Sequence, residues 1–477
     1  MKIALVHPPE PAKSIASEVM QHPINLAQLA AYLMRNGVVC EIWDYKVRDY
    51  SEADFLKNLE RFAPDVLGIG AVTPLINSGA KLAKFAKSRF PAMLTVLGGP
   101  HLSAIPEKTL RDYPMFDIGV IGEGELTLQE VVDQLGSGQP LTDIPGTVFR
   151  DGDNVLLGPE RALIRNLDDL PYPARELIDF SLYRGSSSPG LSNRNMNITQ
   201  LFTSRGCPAH CIFCASSVTH RHKMRMRSAQ HVLGEVRECV ERYGINHFTI
   251  DDDTFTYGRK RLMEICAGFR ELGVTWDCDS RVDSIDEEMV RVMAESGCIK
   301  IAFGVESGSP RILELIDKGI KIPQIENAFR WAKQYGIETA AFLMIGAHPS
   351  ETEKDLELSL SFMKRIAPDY LMCYCAVPYP GTRLHDMMDR EGMIVSDDWD
   401  EYDIVRTRPV WHTEHHSAED MIRHQQRLYR RYYLRPAYFW KTLKKIRSRE
   451  QVRYLFETGF RFLRYIFSGK RVGSQTT

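Results

Sequence analysis

Two α/β units in series are predicted by this chain: a doubly wound, Rossmann-like parallel sheet over residues 1–136, and a partial (β/α)6 TIM-like barrel over 196–400. Three observations lead there. Short apolar runs alternate with helix-length segments twice, on either side of a Gly-, Pro-, Asp- and Asn-rich connector at 137–195. A loop with three cysteines follows directly on the first strand of the second series. From residue 401 to 477 the alternation gives way to a basic helical region. At 477 residues, 44% hydrophobic and 26% charged, the chain is long enough for two or three cores and has ordinary globular composition.

In the first unit, Ile3–Val6 reads as a strand and Asn25–Asn36 as a helix, with Leu26, Leu29, Ala30 and Leu33 on one face and Gly37 as its stop. Val38–Trp43, Val66–Gly70, Thr95–Leu97 and Ile118–Ile121 are the further strands; Phe55–Phe62, Ser78–Phe90 and Leu126–Leu135 are the helices between and after them. Ligands on such sheets bind beyond the carboxyl ends of the strands. That places His7–Glu10, Ala71–Pro74, Gly98–His101 and Gly122–Glu125 on one rim, where glycine lets a bulky ligand approach backbone N–H groups. No G-x-G-x-x-G follows the first strand, which argues against a nicotinamide or flavin dinucleotide. The connector carries a hairpin-like stretch around Thr147–Leu157 and an extended strap at Leu170-Pro-Tyr-Pro173. The barrel strands are Ile198–Thr203, His247–Asp251, Thr275–Cys278, Ile301–Val305, Ala340–Ile345 and Tyr370–Ala376, with chemistry expected at their carboxyl ends.

Cys207, Cys211 and Cys214 stand in Thr203-Ser-Arg-Gly-Cys-Pro-Ala-His-Cys-Ile-Phe-Cys214. Their C-x3-C-x2-C spacing fits one loop around a [4Fe–4S] cube, ligating three irons and leaving the fourth open to a small molecule. Gly206 and Pro208 suit the tight turns. A zinc site competes, but structural zinc wants four ligands, and His210 and His220 sit at no standard spacing. Three plain core cysteines are the other alternative, which leaves the surrounding Gly, Pro, Arg and Ser unexplained.

With the aromatic Phe213 just before its last cysteine, this loop resembles that of the radical S-adenosylmethionine (radical SAM) enzymes. The resemblance implies that the open iron holds S-adenosylmethionine and that the reduced cluster cleaves it to a 5′-deoxyadenosyl radical. It also implies cofactor contacts from Phe213, Asp252, Asp253, Arg281, Glu306, Ser307 and Gly346. The residues suit such roles. Adjacent carboxylates at Asp251–Asp253 repel one another and would welcome the methionine ammonium; a solvated turn or an N-cap at Asp253 is the alternative. Arg281 offers a guanidinium for a carboxylate or ribose. Gly346, in a loop similar to the family's Gly-x-Pro-x-Glu-Thr with one residue inserted, leaves room for adenine, and Glu351 reads as an early-turn anion of the next helix.

The rim of the first unit resembles the cobalamin-binding domain found upstream of many radical SAM modules, through Gly98-Gly-Pro-His101 and Gly122-Glu-Gly-Glu125. Contacts to cobalamin are thereby implied for Pro9, Thr73, Gly98, Gly99, His101, Gly122, Glu123 and Gly124. The Asp-x-His-x-x-Gly motif that supplies a cobalt-ligating histidine in cobalamin mutases is absent. The resemblance therefore points to the subgroup that binds cobalamin without that ligand, or to a vestigial domain; a packing domain in which His101 caps a loop is the plain alternative. The whole pattern is similar to the cobalamin-dependent methylase and anaerobic magnesium-protoporphyrin monomethyl ester cyclase group. The activity this implies is cobalamin-dependent C-methylation of an unactivated carbon. Radical cyclisation or rearrangement of a tetrapyrrole or isoprenoid-type substrate is the alternative, and a non-catalytic iron–sulfur/corrinoid module a third. Sulfur insertion is disfavoured, because the first unit has only Cys40 where methylthiotransferases hold a second cluster, and the remaining cysteines read as core.

The ten cysteines, mostly in apolar runs, suit a reducing cytoplasm better than a disulfide framework. No leader is expected from a five-residue run, Lys2–Val6, that stops at His7-Pro-Pro9, and no segment is long and apolar enough to span a membrane. Charge is uneven: from Met421 onward fifteen Lys and Arg face two acidic residues, so a tail of +13 offsets −15 elsewhere within a net −2. Tyr429-Arg-Arg-Tyr-Tyr433 and Phe460–Phe467 interleave aromatics with arginine. That composition suits a packing lid or a peripheral contact with the inner membrane face, with nucleic acid the least favoured partner. The expected partners are a small-molecule substrate, hydrophobic on the membrane reading of the tail, and an electron donor such as flavodoxin or ferredoxin.

Overall fold

The structure, a computed structural model, describes residues 1–10, 21–183, 196–404, 409–445, 459 and 465–467. The first sheet contains β1 (Lys2–His7), β2 (Val39–Asp44), β3 (Val66–Gly70), β4 (Leu94–Gly98), β5 (Ile118–Val120), β6 (Thr147–Asp151) and β7 (Asn154–Leu157), in the order β2-β1-β3-β4-β5-β6-β7. The first five run parallel. Alternate residues of β1 feed two cores: Ala4 and Val6 pack on one face, Ile3 and Leu5 on the other. Burial on both faces is what makes these strands continuous apolar runs.

The hairpin of the connector is real and belongs to this sheet. β6 pairs antiparallel with β5, Ile118 opposite Phe149, and β7 with β6. A boundary at 136 therefore cuts the sheet, whose last two strands lie beyond it. The strap also has a fixed bed. Gln28 Nε2 donates to Pro171 O (2.8 Å) and Ala174 N to Ala27 O (3.0 Å), so residues 171–174 run along the helix Ile24–Arg35. Arg175, 2% exposed, then enters the barrel, pairing with Glu235 at 2.6 Å and donating to Gln200 O at 2.9 Å.

The second sheet comprises β8 (Ile198–Leu201), β11 (His247–Ile250), β12 (Thr275–Ser280), β13 (Cys298–Glu306), β14 (Glu338–Ile345) and β15 (Tyr370–Cys375). All six are parallel in the order β15-β14-β13-β12-β11-β8. Among the described residues β8 and β15 do not pair, so the barrel is open, as the strand count predicts. A separate two-residue ribbon pairs β9 (Ser204–Arg205) with β10 (Arg225–Met226).

The open edge at β15 is closed by side chains. On the helix Ala418–Tyr433, Tyr429 and Tyr433 sit one turn apart. The Tyr429 hydroxyl accepts from Cys373 N (2.9 Å) and donates to Cys373 O (3.0 Å); Tyr433 does the same with Leu371 N (2.8 Å) and O (2.9 Å). Two phenols thus stand in for a missing strand. Arg427 and Arg431 of the same helix pair with Glu353 and Glu357 of the helix Glu353–Ile366. The start of the basic tail is therefore a packing element; Phe439 and Trp440 on the next helix, Pro436–Lys445, are exposed, and most of the tail beyond lies outside the described residues.

Replacing both hydroxyls (Tyr429→Phe with Tyr433→Phe) takes these partners from Cys373 N and from Leu371 N and O, while Cys373 O keeps its bond from Gln425 Nε2 at 2.6 Å. The expected cost is about 1–3 kcal/mol per site, read from urea denaturation. A variant as stable as the parent would show that water serves these groups equally well.

Candidate cofactor site

The carboxyl ends of the two sheets face one another across a cavity of about 460 Å³. Gly98, Gly99, Gly122, Glu123 and Gly124 from the first sheet's rim line one side; Ser204, Arg205, Gly206, His220, Asp251 and Asp253 from the barrel line the other. Its floor reaches apolar side chains of the first sheet, Leu5, Ile69, Val96 and Val120. A Cβ added at Gly98 or Gly122 would meet no atom within 4 Å, so the missing side chains widen the wall. Gly99 serves the fold instead. It has φ of +107°, and a Cβ there would collide with the backbone of Ala71.

This wall fits a large planar ligand, and three residues expected on it are elsewhere. His101 is 1% exposed, with Nδ1 3.3 Å from Thr73 Oγ1 and its ring edge-on to Trp399 at 5.0 Å. Burial lowers its pKa to about 4, so it is a neutral packing group. Thr73 is buried with it, and neither it nor Pro9 is part of the cavity wall. Glu123 does reach the wall, but its carboxylate accepts from Ile164 N (2.9 Å), Arg205 (2.8 Å) and Arg225 (2.7 Å). Those guanidiniums hold it below the usual carboxylate range against the opposing effect of burial.

The cysteine loop leaves the ribbon at Arg205 and returns at Arg225. Cys207, Cys211 and Cys214 are half-buried, whereas the other seven cysteines are buried, as expected of core residues. The loop's root is fixed by Asp252, which is 3% exposed and accepts from Thr203 N (2.6 Å), Ser204 N (3.0 Å), Ser204 Oγ (2.7 Å) and the Thr203 hydroxyl. Burial raises its pKa, and these donors draw it back. Both oxygens are thus committed to the loop and not presented to a ligand. Asp253 is exposed to the cavity, accepting only from Ser216 Oγ (2.5 Å) among the described contacts. Asp251, which sequence reasoning did not single out, also reaches the wall. Its pKa is pushed well up by burial, then by Asp279, Asp277 and Asp252.

Cations gather at the thiols. Arg281 NH1 lies 3.8 Å from Cys211 Sγ while its other nitrogens hold Asp283 (2.9 Å) and Lys318 O (2.7 Å). Lys318, a second residue missed in the sequence, pairs with Glu306 at 2.8 Å and stands 5.9 Å over the Phe213 ring. Burial raises the thiol pKa at Cys211, against the pull of Lys318 and Arg281, and raises Cys214 to about 11. Metal coordination would deprotonate both. Thiols with nearby cations fit an anionic iron–sulfur cluster. Among the described residues no three His, Cys, Asp or Glu side chains converge on a single ion, which three ligands to three different irons need not do.

Two further expectations change. Ser307 is fully buried and bonds to Ser359 Oγ (3.1 Å) and Ser309 N (3.1 Å), joining β13 to a helix and not facing the cavity. The place a side chain at Gly346 would occupy is filled by Met421, Thr413 and Trp411 of the C-terminal region, so the glycine lets that region pack close. Glu351 turns back to accept from Gly346 N at 2.6 Å, and its other oxygen is buried without a partner.

Comparison with known proteins agrees with this geometry. The radical SAM superfamily model matches residues 201–363, and the B12 binding domain model matches 15–132. An uncharacterised methyltransferase of Pyrococcus horikoshii is 35% identical over 91% of this chain and 93% of its own length. The cytidylyl-2-hydroxyethylphosphonate methyltransferase of Streptomyces wedmorensis is 28% identical over 78% of this chain and 79% of that protein. The anaerobic magnesium-protoporphyrin IX monomethyl ester cyclase of Rubrivivax gelatinosus is 26% identical over 98% and 84%. In fold, the cobalamin-dependent S-adenosylmethionine radical enzyme OxsB, solved with aqua-cobalamin and S-adenosylmethionine bound, matches with a TM-score of 0.73 over 98% of this chain and 72% of that one, at 18% identity. The fold and site define a radical SAM enzyme. The chain belongs to the radical SAM family that carries a B12-binding domain, whose cofactors are a [4Fe–4S] cluster, S-adenosylmethionine and cobalamin. Among the described residues no helix is long and apolar enough to cross a membrane.

The pKa of Glu351 is raised by burial to about 8, from 4.5. The folded state therefore binds more protons than the unfolded one between those values, and stability falls as pH rises from about 4.5 through 8, by roughly 4–5 kcal/mol for this group. Glu351→Gln, which keeps an acceptor for Gly346 N, should flatten that decline in denaturation midpoints measured from pH 5 to 9. An unchanged slope would place the titration elsewhere.

Proposed function

We propose that this enzyme methylates an unactivated carbon of a small-molecule substrate. The observation that supports it is the shared cavity, whose walls come from the cobalamin-domain rim and from the cysteine loop. With the cofactors bound, the cluster and S-adenosylmethionine supply a hydrogen-abstracting radical and cobalamin a transferable methyl group. The chain's part is placement and exclusion of water. Gly98 and Gly122 leave open the face on which a corrin would lie, and Cys207, Cys211 and Cys214 would hold the cluster through three irons. Asp253, and with it Asp251, would meet the cationic end of S-adenosylmethionine, and Arg281 and Lys318 would offset the charge of the thiolates. Phe213, under Lys318, borders the same loop. A low-potential carrier such as flavodoxin or ferredoxin delivers the electron.

A cyclase-type outcome has one specific support, the likeness over 98% of this chain to a protein named as a magnesium-protoporphyrin cyclase. Anaerobic reconstitution with iron, sulfide and hydroxocobalamin separates the readings. Formation of both 5′-deoxyadenosine and S-adenosylhomocysteine is expected for methylation; 5′-deoxyadenosine alone supports cyclisation, and neither product removes the radical reading. In the same assay Cys211→Ala should lose 5′-deoxyadenosine formation and much of its iron, since a cube with two protein ligands is labile. Full iron content and product in that variant would overturn the ligand assignment.

A further inference from the structure

Glu123 makes contacts that no bond to a cofactor explains. Arg205 and Arg225 are direct register partners across the β9–β10 ribbon, and like charges directly opposite on a ribbon repel. Each extends a guanidinium to the same carboxylate, at 2.8 and 2.7 Å, and that carboxylate comes from the other domain. Glu123 is 6% exposed and its hydrogen bond from Ile164 N fixes its rotamer. The network spreads on both sides. Arg205 also pairs with Glu125 at 2.5 Å, and Arg225 donates to His220 Nδ1 at 3.1 Å, in the helix that follows Cys214.

The chain distances are short at both ends. Gly122 and Gly124, flanking Glu123, line the cavity on the cobalamin side; Arg205 stands two residues before Cys207 on the cluster side. Gly206 between them packs against Lys223 and His220 too closely for a Cβ, so motion at Arg205 is passed on to the first cluster ligand. We propose that Glu123 is a positioning residue: an ionic joint that sets the distance and angle between the corrin-bearing rim and the cluster loop. The inference rests on both cofactors being bound together; the cofactor separation tests it whatever the product, while the product ratio also rests on the proposed methyl transfer.

The test uses full-length protein reconstituted anaerobically with iron, sulfide and hydroxocobalamin, as parent, Glu123→Gln and Arg205→Gln. Glu123→Gln keeps an acceptor for Ile164 N and removes the charge; Arg205→Gln breaks the joint from the other side. Iron and corrinoid contents are measured, and pulsed EPR reads the separation of cob(II)alamin from the reduced cluster. Both variants should keep both cofactors and show a broadened, shifted separation. With S-adenosylmethionine and titanium(III) citrate, their ratio of S-adenosylhomocysteine to 5′-deoxyadenosine should fall roughly tenfold or more, because small misplacements cost that much when two reactants must meet. Loss of corrinoid from Glu123→Gln alone would make Glu123 a direct cobalamin contact and overturn the proposal. An unchanged separation and ratio in both variants, or loss of the cluster from either, would make the network a support of the fold alone and overturn it too.

Discussion

One buried carboxylate between two guanidiniums is the constraint on which the relation of the two domains depends. Arg205 and Arg225 are 20% and 10% exposed, Glu123 only 6%. Stripped of its partner in such a setting, a charge costs roughly 3–5 kcal/mol, far more than an exposed ion pair contributes. The joint is therefore worth most as a specification. The ribbon that roots the cysteine loop is electrostatically incomplete until the loop Gly122–Glu125 of the other domain docks on it. Packing of two apolar faces could tolerate a range of angles; two bonds of under 3 Å to one carboxylate do not.

The same economy recurs inside the barrel. Glu235 lies between Arg175 (2.6 Å) and Arg227 (2.5 Å), one from the connector and one from the residue after β10. Asp252 spends four acceptor contacts on the two residues that open the cysteine loop. In each case a carboxylate at a strand end or on a helix is used to hold irregular backbone in place. A loop that must present three thiols to three irons has few apolar residues of its own to pack, so charge-assisted hydrogen bonds do the fixing.

The strand–helix order, the open six-stranded barrel and the half-buried cysteine loop were legible because each has a local signature: a burial period, a Gly or Pro stop, or a fixed cysteine spacing. What lay beyond was relational. Nothing local distinguishes Glu123, which lines the cavity yet spends its carboxylate on Arg205 and Arg225, from a residue that bonds a ligand. Lys318 lies between Asp317 and Gly319 with no motif around it, and its place beside Phe213 comes from β13 carrying Glu306 to it. His101 and Thr73 sit in the right loops but point into the packing beneath them, because Trp399, hundreds of residues later in the chain, covers them. Likewise the hairpin β6–β7 read correctly as a hairpin, yet only pairing with β5 assigns it to the first sheet.

Trp399 also bears on how the cavity keeps its shape. A single joint leaves two bodies free to rotate about it. Here the two units meet elsewhere as well: at the strap 171–175, which lies on the first domain and ends in the barrel's buried Arg175–Glu235 pair; at His22, which bonds to Gln200 at 2.8 Å; and at the segment around Trp399, which meets His101 while Asp398 accepts from Asn77 at 3.3 Å. The last of these is followed by Trp411 and Met421 beside Gly346 and by the tyrosines that close β15. The C-terminal region thus completes the barrel edge and ties the barrel to the first domain in one continuous course. Contacts beyond the Glu123 joint oppose the free rotation that a single one would allow, and they leave the joint to set the distance and angle across the cavity.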